Sequence, residues 1–290
     1  MSDILKNKEK PRKKNKKKSQ LPFIMIFIVG LLVLLYPQVS RLYYRVESNF
    51  QVEDFEKAKK ALTDDEVNKR IELARAYNSS LNNNVPDDPY DKKKQSEGVK
   101  EYARMLEVKE KIGHIEVPKI DVDIPIYAGT TEDILQKGAG HLEGTSLPVG
   151  GKNTHTVITA HSGLPTAKLF SDLNKLKIGD EFYIHNISYT MAYKVDQIIT
   201  VLPSDFDDLL VVKGKDYATL LTCTPIMINT HRLLVRGHRI PYVPNKNDEQ
   251  KKKNDLIFYA KCLAVLLVIL MLILWIWRRL RKRKKQNSVR

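Results

Sequence analysis

Residues 219–237 read TLLTCTPIMINTHRLLVRG, with a β-like run on each side of a turn that contains Pro225. Cys223 ends the first run, and Arg232 opens the second nine residues later. A thiol at a strand end beside a guanidinium on the next strand suits covalent chemistry at a carbonyl. The sulfur attacks, and the guanidinium stabilises the oxyanion that forms. His231 adjoins Arg232 but alternates to the opposite face if the strand has begun there. The candidate base lies upstream, at His161 in TVITAHSG, where the β-branched run 154–160 ends. The competing reading makes Cys223 a small buried hydrophobe, the usual fate of a free cysteine.

Working outward, residues 112–129 (IGHIEVPKIDVDIPIYAG) alternate apolar and polar positions and are broken by Pro118 and Pro125, as short barrel strands are. A short helix or turn opens at Thr130 or Thr131 and stops at Gly138, and a second short helix is expected over 167–176. Residues 181–201 hold one or two strands with a turn at Asn186, and 217–222 and 232–236 complete a set of seven or eight. No repeat is present, and the pattern predicts a mostly antiparallel closed barrel. Ahead of the barrel, Phe50, Val52, Phe55, Ala58 and Ala61, then Val67, Ile71, Leu73, Ala74 and Tyr77, recur at helical spacing. Thr63 followed by three acids is a helix start, so one helix ends near Leu62 and another begins there. The turn-forming stretch from Asn78, NSSLNNNVPDDPYD, is long enough for a lid.

The net charge of +15 is confined to the ends of the 290-residue chain. Residues 1–20 carry nine basic and two acidic side chains, residues 278–290 carry eight basic and none acidic, and the 32 basic and 32 acidic residues between them cancel. A nucleic-acid binder needs a basic face on its folded part, so that class is set aside. Residues 21–36 are 16 uncharged, mostly apolar residues, and 256–277 are 22 with a single charge, Lys261. Both suit membrane spans, with Trp275 and Trp277 as interfacial aromatics. No small-X-small cleavage site follows the first, so it reads as an uncleaved anchor. Basic flanks predict both termini in the cytoplasm and residues 37–255 outside the plasma membrane. There Cys223 has no disulfide partner, because Cys262 lies in the second span. The expected divisions are a basic tail (1–20), an anchor (21–38), a helical segment with a lid loop (39–109), a barrel (110–244), a tether (245–255), a second span (256–277) and a basic tail (278–290).

TLLTC at 219–223, Arg232, TVITAHSG around His161 and the NTHRLLVRGHRIPY run together resemble the sortases, over roughly residues 112–242. These are cysteine transpeptidases of Gram-positive cell surfaces. The terminal features resemble the class C, pilin-polymerising branch, although Ile226-Met227 stand where that branch commonly has Tyr-Gly. The resemblance implies a mostly β fold: a sortase-like closed eight-stranded barrel with short helices, an N-terminal helical extension and two transmembrane helices. It implies that Cys223 attacks the Thr–Gly carbonyl of a Leu-Pro-X-Thr-Gly-type sorting signal. His161 acts as acid and base, Arg232 serves the oxyanion, and Thr222 and Thr224 contact substrate. The acyl group passes to an amine, in class C a pilin lysine. Asp88, Pro89 and Tyr90 match a lid that lies across the site. The implied partners are pilins or surface proteins with C-terminal sorting signals, together with the lipid bilayer.

Six other histidines compete for the base role: His114, His141, His155, His185, His231 and His238. His155 suits a satisfied structural histidine. No HExxH or CxxC is present, and SDFDDLL at 204–210 lacks the glycine and distal glutamate of a calcium loop, so no metal or cofactor is expected. Cell-wall anchoring of surface proteins, hydrolysis in place of transfer, and a non-enzymatic surface scaffold remain open as alternatives.

Overall fold

The computed structural model describes residues 21–81, 88–90, 102–244 and 248–288. The basic tail 1–20, most of the expected lid loop including Asp87, and residues 245–247 of the tether lie outside the described residues.

Two strands begin the barrel, β1 (Lys111–Val117) and β2 (Val122–Ala128), paired antiparallel with Val117 opposite Val122. Between them Pro118 opens a single 3-10 turn, a position where its missing N–H costs nothing. Asp121 reverses the chain in the left-handed region. Six further strands follow: β3 (Ala139–His141), β4 (Thr154–Thr159), β5 (Glu181–His185), β6 (Thr190–Val201), β7 (Asp216–Thr224) and β8 (His231–Ile240). They close in the order β1-β2-β3-β4-β7-β8-β6-β5, and β5 pairs back onto β1. The pairings β2–β3 and β4–β7 are parallel, and the rest are antiparallel. The expected seven or eight strands are therefore eight. The strand hardest to read is β3, three residues long, in which Gly140 passes so close to Gly129 that a Cβ would run into its carbonyl oxygen.

Helix α1 (Leu21–Lys59) runs unbroken through the expected boundary at 38/39, with Pro37 inside it. At 39 residues it is roughly 58 Å long, about twice the hydrocarbon thickness of a bilayer. Its C-terminal half packs on β1 and β2: Arg45 pairs with Asp121 at 2.8 Å, and the Ser48 hydroxyl donates to the Asp123 carbonyl at 3.1 Å. Helix α2 (Asp64–Ser80) starts as expected, with the Thr63 hydroxyl accepting from the Glu66 N–H. Phe55 of α1 and Ile71 and Ala74 of α2 join Ile112, Ile115, Phe182 and Val235 in the main core.

The helix expected over 167–176 does not form. Leu169 sits in the left-handed region, which an α-helix cannot accommodate, and only a 3-10 turn at Leu173–Lys175 remains. Ala167, Leu169, Phe170, Leu173 and Leu176 are all buried, so tertiary burial has overridden local helix propensity. Helix α3 (Glu132–Lys137) forms where expected and stops at Gly138. The turn at Asn186 also forms, with the Asn186 side-chain oxygen accepting from the Ser188 and Tyr189 N–H groups. The acidic stretch around Asp207 is a 3-10 turn, Asp207–Leu209. Helix α4 (Asp248–Ser288) includes most of the stretch expected to be a tether. Both α1, over Met25–Lys59, and α4, over Leu256–Trp275, are long and apolar enough to cross a membrane.

Candidate active site

One rim of the barrel collects the residues that the sequence singled out. Cys223, near the end of β7, lies directly opposite Arg232 at the start of β8. On the other side of β7 the parallel strand β4 runs alongside, with Thr159 opposite Leu221 and the Ala160 N–H bonded to the Leu221 carbonyl at 3.2 Å. His161 follows immediately, and its neighbour Ser162 donates a hydroxyl hydrogen bond to the Cys223 carbonyl at 2.6 Å. Three adjacent strands thus present the thiol, the imidazole and the guanidinium at one edge.

Cys223 is 7% exposed. Burial pushes its thiol up to about 11, Arg232 pulling it down and Asp88 pushing it further up. The thiol is therefore protonated at neutral pH in this arrangement. Arg232 makes four hydrogen bonds. Nε donates to Asp88 Oδ1 at 2.9 Å and Nη2 to Asp88 Oδ2 at 2.6 Å, while Nη1 donates to the Asn229 and His231 carbonyls at 3.0 and 3.1 Å. Burial disfavours its charge, but Asp88 together with the acidic groups of Cys223 and Tyr90 more than offsets this and raises its pKa.

Residues 88–90 lie over this rim. The Tyr90 hydroxyl donates to the Ala160 carbonyl at 2.7 Å and pairs with the Thr159 hydroxyl at 2.8 Å. Its ring lies 5.6 Å from the His161 ring and 5.1 Å from the Arg232 guanidinium. Tyr90 also packs against a small apolar cluster that includes Val157, Leu221 and Leu234. Burial raises its phenol well above the usual range. Asp88 accepts from the Tyr90 N–H at 3.4 Å, which makes Pro89 the corner of a short Asx-type turn.

Thr222 and Thr224 differ. Thr222 is buried, and its hydroxyl donates to the Ala160 carbonyl at 2.7 Å, which ties β7 to the end of β4. Thr224 is half-buried at the mouth.

The other histidines have other partners. His155 is buried between the Thr219 hydroxyl (2.7 Å) and the Leu210 carbonyl (3.0 Å), and burial lowers it to about 4. His141 lies between the Tyr102 hydroxyl and the Ser146 carbonyl, both at 2.8 Å, and is lowered to about 4 for the same reason. His114 and His185 stack on each other, His238 faces Asp196, and His231 contacts the Thr230 hydroxyl.

The sequence reading missed several participants. Glu132, in the first turn of α3, accepts from His161 Nε2 at 3.2 Å. The Ala160 carbonyl receives both the Tyr90 and the Thr222 hydroxyls. The turn after Cys223 leaves Met227 and Ile228 exposed, at 80% and 67%, while Ile226 packs against Gly163. Thr130 or Thr131 signalled the start of a helix or turn, but nothing in the sequence linked Glu132 to a histidine 29 residues away.

Chemically, the rim offers a nucleophile, an adjacent proton carrier and a cationic hydrogen-bond donor, with that donor occupied by Asp88. A profile of the sortase domain matches residues 115–240. The chain is 30% identical over 132 residues to sortase A of Bacillus anthracis, covering 46% of this chain and 61% of that protein, so it spans less than two-thirds of this curated relative. It is 63% identical to the crystal structure of sortase C-1 from Streptococcus pneumoniae, with a TM-score of 0.65, covering 67% of this chain and 99% of the other. It is 66% identical to a pilus-related sortase C of Group B Streptococcus, with a TM-score of 0.63, covering 66% of this chain and 97% of the other. The chain belongs to the sortase family, whose members are cysteine transpeptidases.

Proposed function

We propose that this protein is a membrane-anchored transpeptidase. It cleaves a Leu-Pro-X-Thr-Gly-type sorting signal between Thr and Gly and joins the acyl group to a pilin lysine, polymerising pilus subunits. The observation that carries the reading is the register of Cys223 against Arg232, with His161 at the end of the neighbouring strand. The pilin branch draws on the high identity to the pilus-related sortase C over two-thirds of the chain. With α1 and α4 as spans, both termini are cytoplasmic and the barrel lies outside the plasma membrane.

In the proposed cycle, Cys223 gives its proton to His161 and its sulfur attacks the Thr carbonyl carbon. The oxyanion is stabilised by Arg232 once Asp88 has withdrawn. Collapse breaks the Thr–Gly C–N bond, and His161 passes the proton to the departing glycine amine, leaving a thioester on Cys223. A lysine amine then attacks the thioester, His161 takes its proton, and the Cys223 thiolate leaves. Thr224 borders the mouth and contacts the signal, while Thr222 holds β7 to β4.

The test incubates the full chain with a sorting-signal peptide and a lysine-bearing pilin domain and identifies products by mass. A branched product, with loss of glycine and an isopeptide to lysine, is expected from the parent and absent from Cys223→Ala. Arg232→Lys is expected to lose two to three decades in rate, because an ammonium lacks the planar fork. Hydrolysed peptide alone would make the protein a protease. Transfer only to a cell-wall amine would make it an anchoring enzyme. Absence of any thioester at Cys223 would overturn the reading.

A further inference from the structure

We infer that Glu132 is a positioning residue for His161: it holds the imidazole by its Nε2 edge and so reserves Nδ1 for the proton exchanges with thiol and amine. The inference rests on the transpeptidase reading above and adds a group to it.

The contact is built into the fold. Glu132 sits in the first turn of α3, and α3 runs through Gly138 directly into β3. Strand β3 pairs with β4, Gly140 opposite Thr159 and His141 opposite Ile158, and β4 leads into His161. The helix that carries the carboxylate and the strand that delivers the imidazole are therefore one unit. The same oxygen, Glu132 Oε1, receives His161 Nε2 at 3.2 Å and Gln136 Nε2 at 2.7 Å from the next turn, so Gln136 steadies the carboxylate. The histidine side chain is only 15% exposed, and Tyr90 covers its ring.

The chemistry follows from what an imidazole can do. A neutral ring has one N–H and one lone pair, and an acceptor fixed at one nitrogen decides which is which. With an ionised carboxylate at Nε2, the N–H stays there and the lone pair is on Nδ1. When Nδ1 takes the Cys223 proton, the imidazolium forms beside a negative charge that costs no reorganisation. A carboxylate that orients a histidine base in this way acts through the histidine, not on the substrate. At 45% exposed, Glu132 is screened by water, so the expected effect is smaller than that of a buried orienting carboxylate.

The test uses the full chain with the sorting-signal peptide and an amine acceptor, at matched thermal stability. Glu132→Ala is expected to lower kcat about tenfold, a fraction of what general acid–base catalysis contributes, with KM for the peptide unchanged. Glu132→Asp keeps an ionised acceptor, one methylene shorter, and is expected to recover part of kcat, whereas Glu132→Gln can turn its amide N–H towards Nε2 and is expected to recover none. An independent readout is the imidazole 15N chemical shifts of His161 with the ring neutral. These should report the Nε2–H form in the parent, and a larger share of the Nδ1–H form in Glu132→Ala and Glu132→Gln. Unchanged kcat and an unchanged tautomer in Glu132→Ala would overturn the inference. A fall in kcat with an unchanged tautomer in both Glu132→Ala and Glu132→Gln would also overturn it. If the parent makes no product, the transpeptidase reading fails, and the nitrogen shifts still decide whether Glu132 sets the tautomer.

Discussion

Asp88 holds Arg232 by two parallel hydrogen bonds, Nε to Oδ1 at 2.9 Å and Nη2 to Oδ2 at 2.6 Å, across 144 residues of chain. Both side chains are nearly buried, at 12% and 7% exposed. The fork that would meet an oxyanion is therefore engaged by a carboxylate of the same chain. In the proposed cycle, where Asp88 withdraws from Arg232, this pair must part and the Tyr90 hydroxyl must leave Thr159 and Ala160. A hydrogen bond to a charged group contributes about 1.5–3 kcal/mol. Removing one anchor should thus increase the open population by about tenfold or more. Asp88→Ala and Tyr90→Ala are each expected to speed alkylation of Cys223 by that factor at unchanged thermal stability. Labelling of both variants at the parent rate would show that residues 88–90 do not guard the sulfur.

The pH dependence of the same labelling tests the electrostatics. Only the thiolate is alkylated, and burial holds the thiol near 11, with Asp88 adding to the rise and Arg232 opposing it. The parent's rate should therefore climb about tenfold per pH unit from neutrality towards 11. Asp88→Asn removes a negative charge beside the sulfur and leaves Arg232 unpaired, so its midpoint should move down. Arg232→Gln should move it up. Rates measured with a small neutral reagent would contradict this assignment if the two substitutions moved the midpoint in the same direction.

The barrel was legible because its strands are short, β-branched and punctuated by Pro118, Pro125 and Asn186, so period and turn chemistry agreed. The thiol, imidazole and guanidinium were singled out because each sits at the end of such a run and, more strongly, because TLLTC, TAHSG and the spacing to Arg232 resemble the sortase motifs. The missed or misread elements share a different cause. Strand β3 is too short to show a period. Residues 167–176 have helical spacing, yet their apolar side chains are consumed by the core around Phe170 with Leu169 left-handed. Helix α1 continues through Pro37 into contacts with β1 and β2 that local sequence does not announce. Glu132, Ser162 and the Ala160 carbonyl act through pairings between distant segments, which exist only once the strands are in register.

Gly163 links the two sides of the rim. It has φ +76°, and a Cβ there would lie 2.6 Å from Cγ2 of Ile226 in the turn after Cys223. Gly163→Ala adds left-handed strain of roughly 1 kcal/mol and displaces Ile226 as well. The turn after Cys223, which carries the exposed Met227 and Ile228, should shift with it. The substitution is expected to lower the melting temperature by several degrees and to reduce kcat/KM mainly through KM. A companion change, Ile226→Ala, clears the contact and should restore part of both. If Gly163→Ala melts and turns over like the parent, the turn is not held by this contact.

The last prediction concerns the joint between α1 and the barrel, where His114 bridges two carboxylates from different elements. Its Nδ1 lies 2.8 Å from Asp123 of β2 and its Nε2 3.3 Å from Glu56 of α1. Lys59 shares Glu56 and also reaches the Asn186 carbonyl. His185 of β5 stacks on the His114 ring at 4.1 Å, with Glu116 3.5 Å from its Nε2 and the Thr190 hydroxyl at its Nδ1. Burial alone would lower His114, but Asp123 and Glu56 outweigh it and the group is raised above 6.5. Burial lowers His185, and the neighbouring His114 charge lowers it further against the pull of Glu116. The signs therefore oppose each other. A raised histidine contributes stability that is complete below the unfolded value of 6.5 and is lost as pH rises through its folded value. A lowered histidine loses stability as pH falls below 6.5 through its folded value. Only a doubly protonated His114 can donate to both carboxylates at once, so the α1 side of the joint should loosen first as pH rises. The melting temperature of the full chain is expected to peak near the unperturbed histidine value and to fall on both sides. His114→Gln should flatten the alkaline arm, whereas His185→Asn should remove only part of the acid arm, to which the buried His141 and His155 also contribute, whatever each does to absolute stability. Hydrogen exchange of α1 residues around Glu56 should rise along the alkaline arm in the parent. A parent whose melting temperature and exchange are flat between about pH 5 and 8, the range in which histidine titrates, would show that the bridge carries no charge-dependent stability.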